Sequence, residues 1–525
     1  MKNPRTLFLS SLRDMYRIAL KASNQPDVPI EEWITKAQEE AQSRRSFLQK
    51  SAQIGIIATG SSVIFPTIKA LSQNRMPKIA IVGAGIGGLA CGYHLKKAGI
   101  PYTIYEASRR TNGRMLSMKG ALAGGTWTEF GGEFIDTDHT EMHQLATELN
   151  LLKLDVDAPS ERALTKDLFF FEGKHYTVKQ VIQAFQPFAE RIKKDQDSLS
   201  DEIDYLHPNN KEFDLLSIDA YLEKIGMTGW LTKLFQVAFA GEYGLDTDQQ
   251  SSLNFLELFS PDTGKKHNKF ELFGKSDERY KIIGGNDQIP SQLAELQKDN
   301  LVFDSKLSEV IEPKTGGYVL KFDGKPEVKA DIVVLAIPFT TLREVQLKRI
   351  KLPEWKRRSI AYMGYGTNSK LMLGFQRRRW REHGYLGFMY HPEVHTGWDN
   401  SQFQNNNQGE CGYSIFMGGK AGKELSLTEA PKYLDIIESA FPGTKQLHNN
   451  KQRIMNWAQN PFSKGSYSCY TTGQWTSIGF AEGIPVGNLY FAGEHCSIEF
   501  QGFMNGAAQT GRQVAEEIAK KIKVG

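Results

Sequence analysis

The order of apolar and polar positions is sharpest between residues 77 and 110. An apolar run at 79–82 meets Gly83, and a second at 102–105 closes on Glu106. Between them, residues 86–98 read as a helix, with Leu89 and Tyr93 along it, Lys96 and Lys97 in its last turns and Gly99 as its stop. This segment predicts a β-α-β unit. Further strands are predicted at 301–303, 318–322 and 331–337, the last reading DIVVLAI, continuously apolar as a buried strand should be. Helical spacing dominates the middle of the chain, at 139–149, 178–197 and 216–224. A second strand-rich block covers 370–375, 385–390 and 412–417, and the polar stretch 400–408 is expected to be a surface loop. A helix at 431–440 starts on proline and stops at Pro442 and Gly443; a strand at 487–492 and a helix at 506–521 complete the pattern.

The first turn carries chemistry. Gly83, Gly85 and Gly88 stand in a G-x-G-x-x-G frame that also contains Ala84 and Gly87. In such a turn the first glycine permits the tight bend, the second lets backbone approach a pyrophosphate, and the third lets helix and strand pack closely. The helix N-terminus offers N–H donors and partial positive charge to the phosphates. Glu106, followed by Ala107, ends the second strand, where a carboxylate accepts the hydroxyls of an adenosine ribose. The motif alone does not separate NAD from FAD.

Composition narrows the field. The 525 residues carry Lys+Arg 64 against Asp+Glu 60, a formal charge of +4, too small for this size to argue for nucleic acid. The basic run 376–379 reads as a solvated face. Four cysteines, Cys91, Cys411, Cys469 and Cys496, form no C-x-x-C pair, so neither a metal site nor a disulfide framework is expected. Near the N-terminus, Arg44 and Arg45 precede a glycine- and serine-diluted apolar run at 54–65, shorter than the ~20 residues of a spanning helix. This reads as a twin-arginine export signal, with the translocation machinery as partner and a periplasmic or exported destination. The alternative is an amphipathic helix with a chance arginine pair and a cytoplasmic protein. Residues 67–70 are a poor cleavage site, so whether the signal is cut stays open.

Five further stretches follow in order: EASRRTNGRM (106–115), EFGGEFI (129–135), GGNDQIP (284–290), GSYSCY (465–470) and YFAGEHCSIEFQGFMNGAA (490–508). The ordered set resembles the flavin-dependent amine oxidases, the family of monoamine, polyamine and L-amino-acid oxidases, over about residues 77–520. The resemblance implies an α/β protein with a discontinuous Rossmann-like FAD-binding domain (77–160, 281–340 and 456–525), an inserted α+β substrate-binding domain (161–280 and 341–455) and an N-terminal extension (1–76). The implied cofactor is FAD. Glu106 would hold the ribose and Arg114 would offset pyrophosphate charge. Asn112 replaces the first glycine of a G-G-R trio, a position where asparagine tolerates the left-handed conformation. Gly131, Gly132, Glu133 and Phe134 would pass beside the flavin ring, with Trp457 also against the cofactor. Val310 would read the adenine through its backbone. Gly493, Glu494, Gly502, Phe503 and Met504 would present backbone N–H groups to the ribityl chain and the ring, from the start of the last helix.

For the reacting face, Lys370 matches the family lysine that holds a water against flavin N5, and a lysine heading an apolar strand implies a buried task. Tyr467 and Phe503 match two aromatic positions facing the ring. Ser466 stands where monoamine oxidases carry the cysteine bonded to flavin, so the FAD is expected to be non-covalent, with Cys469 and Cys496 as packing residues. Phe134 stands where many L-amino-acid oxidases place a carboxylate-binding arginine. Asp136 is a candidate for a distant ammonium, or a turn residue before the helix at 139. The implied reaction is hydride transfer from the α-carbon of a neutral amine or amino acid to N5, hydrolysis of the imine, and reduction of O2 to hydrogen peroxide. Two rivals remain: a flavin-dependent double-bond isomerase or desaturase acting on a lipid, and a nucleotide-binding partner without turnover. Oligomeric state is not legible, with a homodimer among the possibilities.

Overall fold

The computed structural model describes residues 7–35, 76–161, 163–200, 207–258 and 277–524. The arginine pair, the apolar run after it and the candidate cleavage site lie outside the described residues. Among the described residues, no helix is long and apolar enough to cross a membrane.

Two sheets organise the chain. The first has five parallel strands in the order Leu489–Phe491, Ile332–Leu335, Ile79–Val82, Tyr102–Tyr105, Leu301–Val302. Its strands come from three separated stretches of sequence, because each crossover leaves room for another part of the chain to return. Ile79–Val82 and Ile332–Leu335 are buried throughout, as strands covered on both faces must be. The helices Ile86–Lys97 and Met504–Val524 pack against each other at this sheet, and Gly511 is the point of closest approach: a Cβ there would come within 2.2 Å of the Gly87 carbonyl.

The second sheet has seven strands, in the order His448–Asn456, Ser369–Phe375, Cys411–Met417, His395–Asp399, Tyr385–His391, Thr165–Phe171, Lys174–Tyr176. All neighbours are antiparallel except Tyr385–His391 against Thr165–Phe171. Lys370 lies opposite Phe416, Phe416 opposite Thr396, and Trp398 opposite Ser414. Residues paired this way project from one face, which puts Lys370, Phe416, Thr396 and Trp398 together.

Three expectations change. Helix Leu7–Asn24 falls within the predicted extension, yet it packs into the helical layer of the inserted part. Its Leu9, Leu12, Tyr16 and Ala19 follow helical spacing and join one core with Val181, Phe185 and Phe235. The Tyr16 ring lies 5.4 Å from that of Phe185, and its hydroxyl donates to the Ala189 carbonyl at 3.3 Å. Second, the polar stretch 400–408 is not a surface loop at its start: Asn400, Ser401, Gln402 and Gln404 are buried. The two glutamines reach distant backbone, Gln404 accepting from the Trp127 N–H at 2.8 Å and Gln402 donating to the Val156 carbonyl at 3.1 Å. Third, the basic run is not wholly solvated. Arg378 is buried, donating to Asp399 at 2.9 Å and to the Ser401 carbonyl at 2.7 Å.

Candidate active site

A cavity of about 570 Å³ opens where the parallel strands end and reaches across to the face of the seven-stranded sheet that carries Lys370. Gly83, Glu106, Ala336 and Gly493, each one or two residues beyond the end of a parallel strand, line its first part. Ligands of open α/β sheets bind at the carboxyl ends of the strands.

The residues of this end fit a dinucleotide. Gly83 sits at φ +103°, and a Cβ there would come within 2.6 Å of the Ala336 carbonyl. A Cβ on Gly85 would instead meet no protein atom nearer than Gly113 Cα at 3.9 Å, and Gly85 lines the cavity. Gly88 is not on the wall; it allows the helix to touch the Gly83 carbonyl, 2.0 Å from where its Cβ would be. Glu106 is fixed by three donors, the Ala84 N–H at 2.8 Å and the Ser108 N–H and hydroxyl at 2.9 and 2.8 Å. Ala84 thus acts through Glu106, and Ala107 does not reach the cavity. Asn112 takes the left-handed conformation expected, at φ 80°.

Two arginines serve this end. Arg114 pairs with Glu494 at 3.0 Å and donates to the Ser466 carbonyl. Arg110, which the sequence reading passed over in the stretch EASRRTNGRM, also lines the cavity, held by the Thr111 and Gly113 carbonyls at 3.0 and 2.8 Å. Glu494 joins the last segments by accepting from Ser468 Oγ at 2.8 Å and from the Gly502 N–H at 2.9 Å. Val310 does not fit its expected place. It is buried in a three-stranded antiparallel sheet away from the wall, and its N–H donates to the Gln346 carbonyl at 3.1 Å.

In the middle of the cavity, two glycines let the backbone pack closely behind the wall. A Cβ on Gly131 would lie 1.8 Å from the Arg114 carbonyl, and one on Gly132 would lie 2.5 Å from Met504 Sδ. Trp457 stands beside Gly131 with its indole N–H on the Phe130 carbonyl at 3.1 Å. Met504, the first residue of the last helix, and Gly502 and Phe503 just before it line the same stretch. Tyr467 and Phe503 both face the cavity, each fixed from behind. The Tyr467 hydroxyl donates to the Gly241 carbonyl at 2.8 Å, and the Phe503 ring lies 4.9 Å from that of His139. Ser466 Oγ bonds Asn368 at 2.6 Å, and no cysteine lines the cavity among the described residues.

Lys370 is buried, as its place in an apolar strand implied, and its ammonium has three acceptors. It donates to Glu133 Oε2 at 2.7 Å and to the Gly131 and Glu129 carbonyls at 2.9 and 3.2 Å. Glu133 is shared. Its other oxygen accepts from Lys281 at 2.7 Å and from the Trp398 indole at 2.9 Å. Burial alone would raise the Glu133 pKa, but the two ammonium groups overcome it and bring it down to about 2. Glu129, bonded to Ser117 at 2.6 Å, has no such cation on its carboxyl, and burial pushes its pKa up to about 8. Lys281 was missed in the sequence, although the signal is the one that exposed Lys370: a lysine inside an apolar strand, in RYKIIGG.

The far end is aromatic. Phe134, Phe388, Trp398 and Phe416 line it, with Trp398 ring centroids 6.3 Å from Phe134 and 5.9 Å from Phe416. Asp136 and Glu278 add carboxylates. Asp136 serves the turn as well, accepting from the Glu278 N–H at 2.9 Å, while its carbonyl accepts from the His139 N–H at 3.1 Å. Among the described residues the only arginines on the wall are Arg110 and Arg114, both at the nucleotide end.

Comparison with known proteins agrees with this geometry. A family profile described as flavin containing amine oxidoreductase matches residues 86–519. The L-amino acid dehydrogenase of Synechocystis sp. is 23% identical over 486 residues, covering 88% of this chain and 99% of that protein. A flavin-containing amine oxidase of Oncorhynchus mykiss is 25% identical, covering 85% of this chain and 86% of its own. Among solved structures, cyclohexylamine oxidase from Brevibacterium oxydans superposes with a TM-score of 0.73 at 20% identity, covering 86% of this chain and 100% of that one. A putrescine oxidase bound to putrescine gives 0.71 at 19%, covering 85% and 99%.

Proposed function

The chain belongs to the flavin containing amine oxidoreductases, and from that premise we propose that it oxidises the C–N bond of an amine to an imine, reducing O2 to hydrogen peroxide. FAD held there would supply the redox chemistry, as acceptor of the hydride (two electrons and a proton) of the amine's α-carbon and as the route of those electrons to oxygen. The chain's own residues do the rest. Gly83, Gly85, Gly87, Arg110 and Arg114 hold the dinucleotide, and Gly131, Gly132 and Trp457 leave a slot for the ring. Tyr467 and Phe503 border the place of the reacting carbon and exclude water there. An unpaired ammonium is costly in such a compartment, so the amine enters neutral and ready to give up its C–H. Lys370, held by Glu133, places a charged donor at the same wall.

The observation that favours an amine is the charge distribution of the substrate end. It holds four aromatic rings and two carboxylates, its one lysine is already paired to Glu133, and no arginine reaches it among the described residues. An L-amino acid is the second reading, supported by the similarity to the Synechocystis L-amino acid dehydrogenase. It would need another partner for the substrate carboxylate, because Phe134 occupies the position of the usual arginine. The lipid isomerase reading loses ground, since the family and the relatives above are named for amines and amino acids.

The test is a peroxide assay on the purified yellow protein with primary amines, diamines, L-amino acids and unsaturated fatty acids. Peroxide should appear with amines, weakly with L-amino acids and not with fatty acids. Peroxide from L-amino acids alone would overturn the amine reading, and its absence with every compound would overturn the oxidase reading.

A further inference from the structure

Lys281 has no part in the proposed reaction, yet the chain buries its ammonium beside the reacting wall. Taking a lysine out of water is expensive unless it is paired. Here two buried lysines share one carboxylate: Lys281 on Glu133 Oε1 and Lys370 on Glu133 Oε2, each at 2.7 Å. The Asn400 carbonyl at 3.2 Å and the face of the Phe134 ring at 4.5 Å complete the surroundings of Lys281. The next acid, Glu129, bonds neither ammonium through its carboxyl, whose pKa burial pushes up to about 8. Two ammonium groups thus share a single carboxylate in a dry interior, and their other acceptors are backbone carbonyls. The Trp398 indole donates to the same Oε1 as Lys281, at 2.9 Å, so two donors hold that oxygen while Oε2 is left to Lys370.

We infer that Lys281 is a positioning residue for Lys370: acting through Glu133, it fixes the Lys370 ammonium against the Gly131 carbonyl and supplies the excess positive charge beside the ring slot. Lys281 itself does not line the cavity, so it acts at one remove. A ring that gains negative charge on reduction is stabilised by that excess charge. The inference rests on the reading that Lys370 faces the flavin, but not on which amine is oxidised.

The experiment uses the FAD-loaded protein and needs no substrate. The midpoint potential of the flavin and the rate at which dithionite-reduced protein reoxidises in O2 are measured for the wild type, K281M, K281R, K370M and the K281M/K370M pair. K281M should slow reoxidation at least tenfold and lower the two-electron potential by about 30 mV, the equivalent of a tenfold change in equilibrium constant. K281R should recover most of both. In the K370M background, K281M should slow reoxidation far less than it does alone, because the group it positions is gone. If K281M does not fold, K281Q keeps a donor to Glu133 without the charge and should lower the potential to the same extent. Potential and reoxidation within twofold of wild type in K281M or K281Q, with only the melting temperature lowered, would overturn the inference. So would full additivity with K370M. Failure of every amine in the peroxide assay would count against the proposed function alone, since these measurements read the flavin directly.

Discussion

At the scale of single residues, the site is a set of opposed demands on buried charge. Glu133 and Glu129 lie four positions apart, and their pKa values are driven to opposite sides, about 2 and about 8. The folded pKa of Glu129 is raised, so the folded protein keeps a proton that the unfolded chain releases near its ordinary value. That contribution to stability is present below about pH 4.5 and is lost as pH rises toward 8. Glu129→Gln cannot titrate. Relative to wild type, it should gain up to roughly 1.4 kcal/mol of stability per pH unit across that window. Thermal melts from pH 5 to 8 check this, and parallel curves for the two proteins would contradict it. Gly131→Ala is a steric test. Its Cβ would fall 1.8 Å from the Arg114 carbonyl, a backbone atom that cannot step aside without moving the ring slot. The purified variant should carry much less flavin per protein than wild type, and a full complement would show that the slot tolerates displacement. Lys370 was legible because a lysine among apolar neighbours raises a question that burial answers. Lys281 carries the same signal but has no role until the fold brings it to Glu133, 148 residues away in sequence.

At the scale of elements, periodicity predicted well wherever one face of a helix or strand is apolar. The helix Val178–Asp197 and the strand Tyr318–Phe322 have the predicted limits. What failed was burial of polar residues, because it depends on partners elsewhere. Gln404 and Arg378 look solvent-seeking until Trp127, Asp399 and Ser401 satisfy them. Strand Thr165–Phe171 was missed because its start is charged, and only pairing with Tyr385–His391 makes it part of a sheet. The helix Leu7–Asn24 was obscured by the export motif downstream, which drew the whole N-terminal region into one reading. Its packing makes a clear prediction. Leu12 is fully buried against the helical layer, so Leu12→Ala should cost about 2–5 kcal/mol and lower the melting temperature. The flavin spectrum should not change, because no residue of this helix lines the cavity. An unchanged melting curve would mean the helix is not part of the folded core in solution.

At the scale of the whole molecule, two sheets meet across one cavity: the parallel sheet supplies the ends that hold a dinucleotide, and the seven-stranded sheet brings Lys370 to the opposite wall. The family follows from that arrangement and its profile match; the substrate does not, because the residues of the far end are contributed by strands and turns with no shared motif. The central claim is that Lys370 faces bound FAD and assists its return to the oxidised state. Lys370→Met keeps the stem and removes the charge, and Glu133 keeps Lys281 and Trp398 as partners, so the variant should fold and bind FAD. Stopped-flow absorbance of the flavin, first on anaerobic mixing with an amine and then on mixing with O2, separates the two half-reactions. Loss of one preorganised charge at a dry site is worth about 3 kcal/mol, so reoxidation should slow by roughly two orders of magnitude while reduction by the amine changes much less. Reoxidation at the wild-type rate in Lys370→Met, or a wild-type flavin that no amine reduces, would contradict the account.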